Sequence, residues 1–343
     1  MRLIASTTNV PADVVNSLVM KPKVAWFGIN GFEDRCVASL ERLNAAKTKL
    51  SAIHFIDYPT IATPTAEDYI IRKAHRELVV TIAKNHAARF YSAKVDAYAS
   101  TGLEAEFQSF IKSAANNSVL IIDFTCFTKI HIITLVNMLS NIDLHHKEVL
   151  VVYTSPWAYG NLDRIAKQIG WRDVIIAPVA SNANMKNEAY SRGLVIAGHE
   201  SERLWAALNE IEPASGVLTL GRIPARPDIT RLSEQVNKKI IKHMALDYDA
   251  AWRVEVIDVS DVDGMEKCVA SEVEKARESD APVILYPFGP KSLIFVASRY
   301  LFEHYAESSW FVYPVPARYD LSYSEGSAAA CWFKIDAEEA ILG

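Results

Sequence analysis

Two stretches of the sequence each place a lysine where a polar loop meets the start of an apolar helix pattern. The first, Asp123–Lys129, reads DFTCFTK and follows an apolar run that begins at Val119. The second, Phe288–Lys291, reads FGPK and follows a similar run. A lysine in the first turn of a helix opposes the helix dipole, so it does little for stability. Together with the free N–H groups of that turn, it suits contact with an anion such as phosphate.

The polar residues beside the two lysines allow two interpretations. Asp123 ends a buried strand pattern, where a carboxylate needs a partner. Thr125, Thr128 and Lys129 could satisfy that carboxylate, in which case the group is structural, or they could face a ligand. In the second stretch Gly289 permits a positive φ and Pro290 suits a first helical position. The pattern is not a P-loop, because G-x-x-x-x-G-K-[ST] is absent.

A Tyr-x-x-Pro-x-x-Tyr pattern follows each lysine stretch. It is formed by Tyr153, Pro156 and Tyr159 in the first case, and by Tyr313, Pro316 and Tyr319, with Arg318 beside them, in the second. Aromatic rings that carry hydroxyls could stack on a base and bond to ribose or phosphate. The alternative is that these tyrosines pack against helix ends, since tyrosine is often half-buried.

A further candidate loop lies earlier, at Gly28–Arg35, which reads GINGFEDR. Gly28 could let the backbone approach a ligand, and Arg35 could attract a phosphate, although the acids between them would repel one. The loop lacks the G-x-G-x-x-G pattern of dinucleotide sites. A capped strand-to-helix turn is the structural alternative.

The elements around these loops predict an α/β fold. The apolar runs are short and continuous, as in strands buried on both faces. Strand, loop, helix and strand from Val119 to Tyr153 form a βαβ unit, which implies a doubly wound, mainly parallel sheet. Because the lysine and tyrosine stretches occur twice, we expect two similar Rossmann-like halves that arose by internal duplication. The earlier matches on this basis are residues 24–28 with 217–221 and 52–57 with 254–258.

This pairing sets the predicted domains. They are an N-terminal Rossmann-like domain at residues 1–212, with an insertion near 59–101, and a C-terminal Rossmann-like domain at 213–343. The segment Glu212–Gly216 is the predicted linker, because it contains proline, serine and glycine. The segment 331–335 is predicted to be an edge strand.

Composition narrows the class of protein. The 343 residues are 50% hydrophobic and 22% charged, with a formal net charge of −5, which argues against binding to duplex nucleic acid or an anionic membrane. The four cysteines form no C-x-x-C pair and no zinc-ligand spacing, so no metal and no cofactor are expected. No signal-peptide pattern and no membrane-span pattern are present. We therefore expect a cytoplasmic protein.

The stretches Asp123–Lys129 and Gly289–Lys291 resemble the loops of CARF-like (CRISPR-associated Rossmann-fold) sensors and related Rossmannoid proteins of prokaryotic defence loci. The resemblance implies recognition of a nucleotide or cyclic-oligonucleotide signal in antiviral defence. It covers most of the chain in architecture but is specific at only about a dozen positions. The sequence departs from such sensors because no effector domain follows, so signalling would need a partner protein.

The leading functional prediction is a protein that binds a nucleotide-like or phosphorylated small molecule, or a protein partner or second copy of itself. No catalytic motif is recognisable and no catalytic residue is assigned. An enzyme acting on a nucleotide or phosphorylated substrate is the alternative, with Lys129 or Lys291 stabilising charge and Asp123 as general base. A structural subunit of a complex is the third possibility.

Overall fold

The computed structural model describes most of the chain. The described residues are 1–12, 14–15, 18, 23–58, 66–114, 118–141, 147–159, 170–180, 183–247, 251–317 and 324–335, with the side chains of 245–247 left out. Among them no helix is of a length and apolarity that would let it traverse a lipid bilayer.

Strands and helices alternate through the described part of the chain. The strands are β1 Arg2–Thr7, β2 Val24–Asn30, β3 Leu50–Asp57, β4 Arg89–Lys94, β5 Val119–Asp123, β6 Glu148–Thr154, β7 Ala158–Tyr159, β8 Trp171–Pro178, β9 Arg192–Ala197, β10 Ser215–Arg222, β11 Trp252–Asp258, β12 Val283–Pro287, β13 Ser309–Pro316, β14 Ser324–Glu325 and β15 Ala330–Ile335. The helices are α1 Ala38–Ala45, α2 Ala66–Asn85, α3 Ser100–Ser113, α4 Lys129–Asn141, α5 Ser201–Glu210, α6 Pro227–Val236, α7 Lys238–Asp247, α8 Val262–Glu278 and α9 Lys291–Tyr305.

The first sheet has the order β1-β15-β6-β5-β2-β3-β4. Strands β2 to β6 are parallel to one another, and β15 runs antiparallel between β6 and β1. Every residue of β2 and β5 is buried, which explains their continuous apolar sequences. The five parallel strands thus follow the Rossmann order 3-2-1-4-5 in chain sequence.

The second sheet has the order β11-β10-β9-β12-β13-β8. Strands β9 to β13 are parallel, and β8 pairs antiparallel with β13 at one edge. Its parallel strands again follow the order 3-2-1-4-5. The prediction of two Rossmann-like, mainly parallel sheets is therefore confirmed.

The shared strand order changes how the two halves correspond. The first parallel strand of the second sheet is β9, so β2 corresponds to β9, whereas the sequence comparison matched it with β10. The later match is preserved: α4 begins at Lys129 and α9 at Lys291, and each helix follows the fourth parallel strand of its sheet. The apparent insertion at 59–101 contains α2 and β4. In chain order, β4 is the third of the five parallel strands in the first sheet.

The chain separates into two compact units. The first comprises Met1–Thr134, Asn141–Gly160 and Leu321–Gly343, and the second Leu135–Ser140 and Asn161–Asp320. This division differs from a boundary at 212/213, because β8 and β9 pair into the second sheet and β15 pairs into the first. Segment 331–335 has neighbours on both sides and is not an edge strand. The predicted linker runs directly into β10, since Ser215 already belongs to that strand.

Each unit has its own apolar core. In the first, Trp26, Phe55, Ile121 and Trp332 of the sheet pack against residues of α1 and α2 such as Leu40, Leu43 and Val79. In the second, Val195, Leu218, Ile284 and Val312 pack against residues of α5 and α7 such as Leu204 and Ile240. Burial of these side chains from water is the main force that holds helices to sheet.

Candidate functional site

Asp123 lies at the carboxyl end of β5, beneath the loop that leads to α4. It is 1% exposed, and both of its oxygens accept hydrogen bonds. The backbone N–H of Thr125 donates to Oδ1 at 2.9 Å, and the Ser39 hydroxyl donates to Oδ2. Burial raises the pKa of the Asp123 carboxyl, and the hydrogen bonds from Ser39 and Thr125 oppose that shift. This geometry matches the structural interpretation of Asp123 better than a role as general base, because a base must reach its substrate.

The two threonines of the loop also hold the protein's own backbone. Thr125 Oγ1 accepts a hydrogen bond from the Thr154 N–H at 2.9 Å, which joins the loop to the end of β6. Thr128 Oγ1 donates to the Ala97 carbonyl at 2.7 Å and accepts from the His131 N–H at 3.2 Å. Thr128 is therefore the N-cap of α4, and Lys129 is the first residue of that helix. Lys129 is half-buried.

Arg35 is an internal cation in this structure. It is 3% exposed, and its Nε and one terminal nitrogen donate to Glu33 Oε2 at 2.8 and 2.5 Å. Its other terminal nitrogen donates to the Thr154 carbonyl at 2.9 Å and to the Tyr153 hydroxyl at 3.3 Å. Because its donors are used this way, Arg35 joins the loop after β2 to the end of β6. The prediction of a phosphate contact for it is not supported by this geometry.

Gly28 lies inside β2, two residues before that strand ends. A Cβ on Gly28 would come within 2.3 Å of the Trp26 indole ring. The glycine is therefore required for packing of Trp26, and the loop that follows β2 begins only at Gly31. Tyr159 lies in β7, which pairs with β14, and it is close enough to Arg35 to influence that guanidinium electrostatically.

A polar network that the sequence did not suggest lies at the ends of β2 and β3. Asn30 Nδ2 donates to Asp57 Oδ1 at 2.7 Å, and Arg76 of α2 donates to Asp57 Oδ2 at 2.9 Å. Arg72, also on α2, donates to Asp68 Oδ1 and to the Tyr58 carbonyl, each at 2.8 Å. The arginine spacing of four along α2 was the available signal, because it places both side chains on one helix face.

Two buried polar atoms at this end of the sheet have no hydrogen-bond partner among the described residues. They are Asn30 Oδ1 at the end of β2 and Thr154 Oγ1 at the end of β6. An unsatisfied buried polar atom is costly, so each such atom calls for an explanation. A ligand at the carboxyl ends of these parallel strands is one such explanation, because it could supply the missing hydrogen bonds.

The corresponding end of the second sheet is closed by backbone contact. A Cβ on Gly198, after β9, would lie 2.2 Å from the Phe288 carbonyl oxygen, and one on Gly289 would lie 2.8 Å from the Ala197 carbonyl oxygen. The loops after strands one and four therefore touch each other. Gly289 serves this close approach, and Lys291 is half-buried as the first residue of α9. Arg318 and Tyr319 lie outside the described residues.

Polar side chains brace the closed loops of the second sheet. Asn237 Nδ2 donates to the Gly198 carbonyl at 2.7 Å, and Ser292 donates to the Val259 carbonyl at 2.7 Å. Arg203 donates to the Pro314 carbonyl and pairs with Glu200 at 2.8 Å. In the described part of the chain, no group of three or more His, Cys, Asp or Glu side chains is arranged to hold a metal ion.

Comparisons with known proteins identify no family. No family model matches the chain, and no curated protein matches it. Among solved structures, the chain is similar to a type III CRISPR defence DNA nuclease activated by cyclic oligoadenylate, with a TM-score of 0.49, 9% identity and 84% of this chain covered. The match spans 65% of that nuclease.

A second solved structure, a putative universal stress protein from Pseudomonas aeruginosa UCBPP-PA14, matches with a TM-score of 0.25 and 9% identity, over 90% of this chain and 97% of that one. Similarity at this level identifies no function. The Rossmann-like assignment rests on the strand order of the two sheets.

Proposed function

We propose that the protein binds an anionic, nucleotide-like ligand at the carboxyl end of the first sheet, with Lys129 contacting a phosphate. The observation that carries the proposal is the shared position of Lys129 and Lys291. Each begins the helix after the fourth parallel strand, beside the switch point where strands one and four diverge. Ligands of open α/β sheets bind at that point, and the first turn of a helix attracts anions.

The carboxyl end of the first sheet is a better candidate for the ligand site than the carboxyl end of the second. In the second sheet the loops at the switch point meet backbone to backbone around Gly198, which leaves little room for a ligand. In the first sheet the glycine after strand one is Gly31, and it faces the half-buried side chain of Cys126. Asn30 Oδ1 and Thr154 Oγ1, at the ends of β2 and β6, have no hydrogen-bond partner among the described residues. A ligand site in the second sheet formed by Lys291, Arg318 and Tyr319 stays a prediction.

The ligand class is proposed from the loop chemistry and the sequence resemblance. A cation at a helix start recognises phosphate, and Tyr159 could stack against a base. The resemblance of Asp123–Lys129 to CARF-like loops adds cyclic oligonucleotides to the candidates and is the reason for proposing a role in antiviral defence. An effector activity would then come from a partner protein.

Isothermal titration calorimetry with a panel of mono-, di-, linear oligo- and cyclic oligonucleotides tests this function. At least one member should bind, more weakly as salt rises because exposed charges are screened. Lys129→Ala should weaken binding by roughly tenfold, the loss expected for one charge-assisted contact. Lys112→Ala, an exposed lysine on α3, removes the same charge elsewhere in the first unit and should leave binding unchanged. No binding by any member, or equal loss in both variants, contradicts the proposal.

Association with a protein partner or second copy is the other candidate, and the edge of the second sheet supports it. In the part of the chain that the structure describes, strand β8 pairs with β13 alone, and it exposes 46% of Trp171 and 42% of Ile176. An open apolar edge strand is a site where another chain can pair. Sedimentation should show a concentration-dependent oligomer that Ile176→Lys disrupts. A monomer at all concentrations would leave a different protein as the partner.

A further inference from the structure

Two thiols and an imidazole surround Gly31 at the carboxyl end of β2. Cys36 Sγ lies 3.2 Å from His75 Nδ1 and 3.7 Å from the Gly31 carbonyl oxygen. The same His75 nitrogen lies 3.0 Å from that oxygen. Cys36 follows β2, His75 lies on α2, and Cys126 lies in the loop after β5. Three separate parts of the first unit therefore converge here.

The absence of a side chain at Gly31 lets the two cysteines approach each other. A Cβ on Gly31 would lie 2.9 Å from Cys126 Sγ and 3.6 Å from Cys36 Cβ, so both cysteines border the same small space. Cys126 also acts on its neighbour, because it helps to raise the pKa of the Cys36 thiol. A disulfide needs Cβ atoms about 3.5–4.5 Å apart. The Cβ atoms of Cys126 and Cys36 lie 3.1 and 3.6 Å from the position of a Cβ on Gly31, so a local movement of the two loops is enough to reach this separation.

The two cysteines differ in their access to solvent. Cys126 is partly exposed, whereas Cys36 is 2% exposed. Burial raises the pKa of the Cys36 thiol well above its ordinary value, so Cys36 is a poor first nucleophile. An oxidant from solvent would meet Cys126 first, and Cys36 would react second. The other two cysteines, Cys268 and Cys331, are buried elsewhere.

We propose that Cys36 and Cys126 are a redox-active pair that a hydroperoxide converts into a disulfide. The Cys126 sulfur attacks the peroxide, the O–O bond breaks, and water or an alcohol leaves to give a sulfenic acid. The Cys36 sulfur then attacks the Cys126 sulfur, the S–O bond breaks and water leaves. The Cys36 proton joins the departing hydroxide to form that water, while the contacts of Cys36 Sγ with His75 Nδ1 and the Gly31 carbonyl oxygen position its sulfur. The two thiols supply the two electrons that reduce the peroxide.

The disulfide would join the loop after β2 to the loop after β5. These loops flank the switch point of the first sheet, and the second leads directly to Lys129. Oxidation would thus restrict the carboxyl end of this sheet. The proposal concerns the thiols alone and stands whether or not that end binds a nucleotide.

The test uses the full, reduced chain treated with hydrogen peroxide under native conditions. Thiol titration should fall from four free thiols to two, and peptide mass spectrometry should find a Cys36–Cys126 link. In Cys36→Ser, a sulfenic acid at Cys126 should be trapped by dimedone. In Cys126→Ser, Cys36 should stay reduced, as should Cys268 and Cys331 in every variant.

His75→Gln should convert the sulfenic acid to disulfide more slowly, with sulfenic acid accumulating, while Cys126 reacts with peroxide at the wild-type rate. Retention of four thiols in the wild type overturns the proposal. So does oxidation of Cys126 to sulfinic acid without a link to Cys36, or a disulfide formed only between separate molecules. The wild-type measurements decide the matter even if a variant fails to fold.

Discussion

The Ser39 hydroxyl donates a hydrogen bond to Asp123 Oδ2 and accepts one from the Trp26 indole N–H at 2.9 Å. These two hydrogen bonds connect Trp26 in the core of the first unit to Asp123 at the end of β5. Ser39 thus accepts from Trp26 and donates to Asp123. It also occupies the carboxylate oxygen that a catalytic base would offer to a substrate.

Asp123→Asn should therefore lower stability. The amide nitrogen would face a hydroxyl that already accepts from Trp26, and the Ser39 proton would lose its acceptor. The expected loss is about 1–3 kcal/mol, the cost of an unsatisfied buried group. Urea denaturation of the variant measures it, with Asp263→Asn, an exposed position on α8, as the control. Unchanged stability would reopen a functional role for Asp123.

Two buried histidines should make the stability of the first unit depend on pH. Burial lowers the pKa of His54 to about 4, with Arg89 adding to the shift, and burial lowers the pKa of His131 to about 4 as well. In the unfolded chain each titrates near its ordinary value of 6.5. The unfolded state thus binds more protons between these values, and the free energy of unfolding falls as the pH is lowered from about 6.5 to about 4.

The contribution should be on the order of 2 kcal/mol for each histidine, and Asp123, whose pKa is raised, acts in the opposite direction. His131 bonds to the Tyr58 hydroxyl at 2.6 Å and to the Ala99 carbonyl at 3.0 Å. His131→Gln should flatten the pH dependence of the urea midpoint over this range. His304→Gln, on the exposed end of α9, is the matched control. An unaltered profile in His131→Gln would refute the assignment.

Gly198 and Gly102 should respond oppositely to an added methyl group. A Cβ at Gly198 would overlap the Phe288 carbonyl oxygen at 2.2 Å, so Gly198→Ala must push apart the loops after β9 and β12. The expected loss is about 1–3 kcal/mol. At Gly102, within α3, the nearest atom is a Val95 methyl at 3.2 Å. Gly102→Ala should be neutral or stabilise by up to about 1 kcal/mol. Thermal melting of both variants distinguishes strain from helix propensity.

Replacing Arg35 should release the small ribbon of β7 and β14. Its guanidinium holds Glu33, and Glu33 in turn accepts a hydrogen bond from Ser324 of β14. Arg35→Met keeps much of the volume and removes the charge that pairs with Glu33, whose side chain is 12% exposed. A loss of about 3–5 kcal/mol is expected for a broken buried ion pair. Glu33→Gln with Arg35→Met should recover part of that loss, and a double-mutant cycle measures it.

The sequence predicted the α/β fold and its mainly parallel strands because the apolar runs are short and continuous. The equivalent positions of Lys129 and Lys291 were visible in the repeated loops. The sequence comparison matched β2 with β10 instead of β9, because residues 24–28 and 217–221 are both apolar runs that end in glycine. Strand length and polarity do not reveal which strand comes first in a sheet; that is decided by hydrogen-bond partners distant in sequence.

The site was less predictable than the fold for a related reason. Gly28 reads as a loop glycine, but its role comes from the ring of Trp26. Arg35 reads as a phosphate ligand, but Glu33, Tyr153 and Thr154 use its donors. The side chains of Arg72 and Arg76 fell in a segment interpreted as an insertion. Duplication of an ancestral half stays a prediction.

The position of β15 has a consequence for how the chain is made. Among the described residues, strand β1 pairs with β15 alone, and β15 follows the described strands of the second unit in the sequence. During synthesis, β1 is therefore made before the second sheet, and the strand with which it pairs is made after it. The strands of the second unit can complete their hydrogen bonding before β15 emerges, but the first sheet can close only after β15 has been made. A chain that stops before β15, at Ala330–Ile335, would lack the strand that pairs with both β1 and β6.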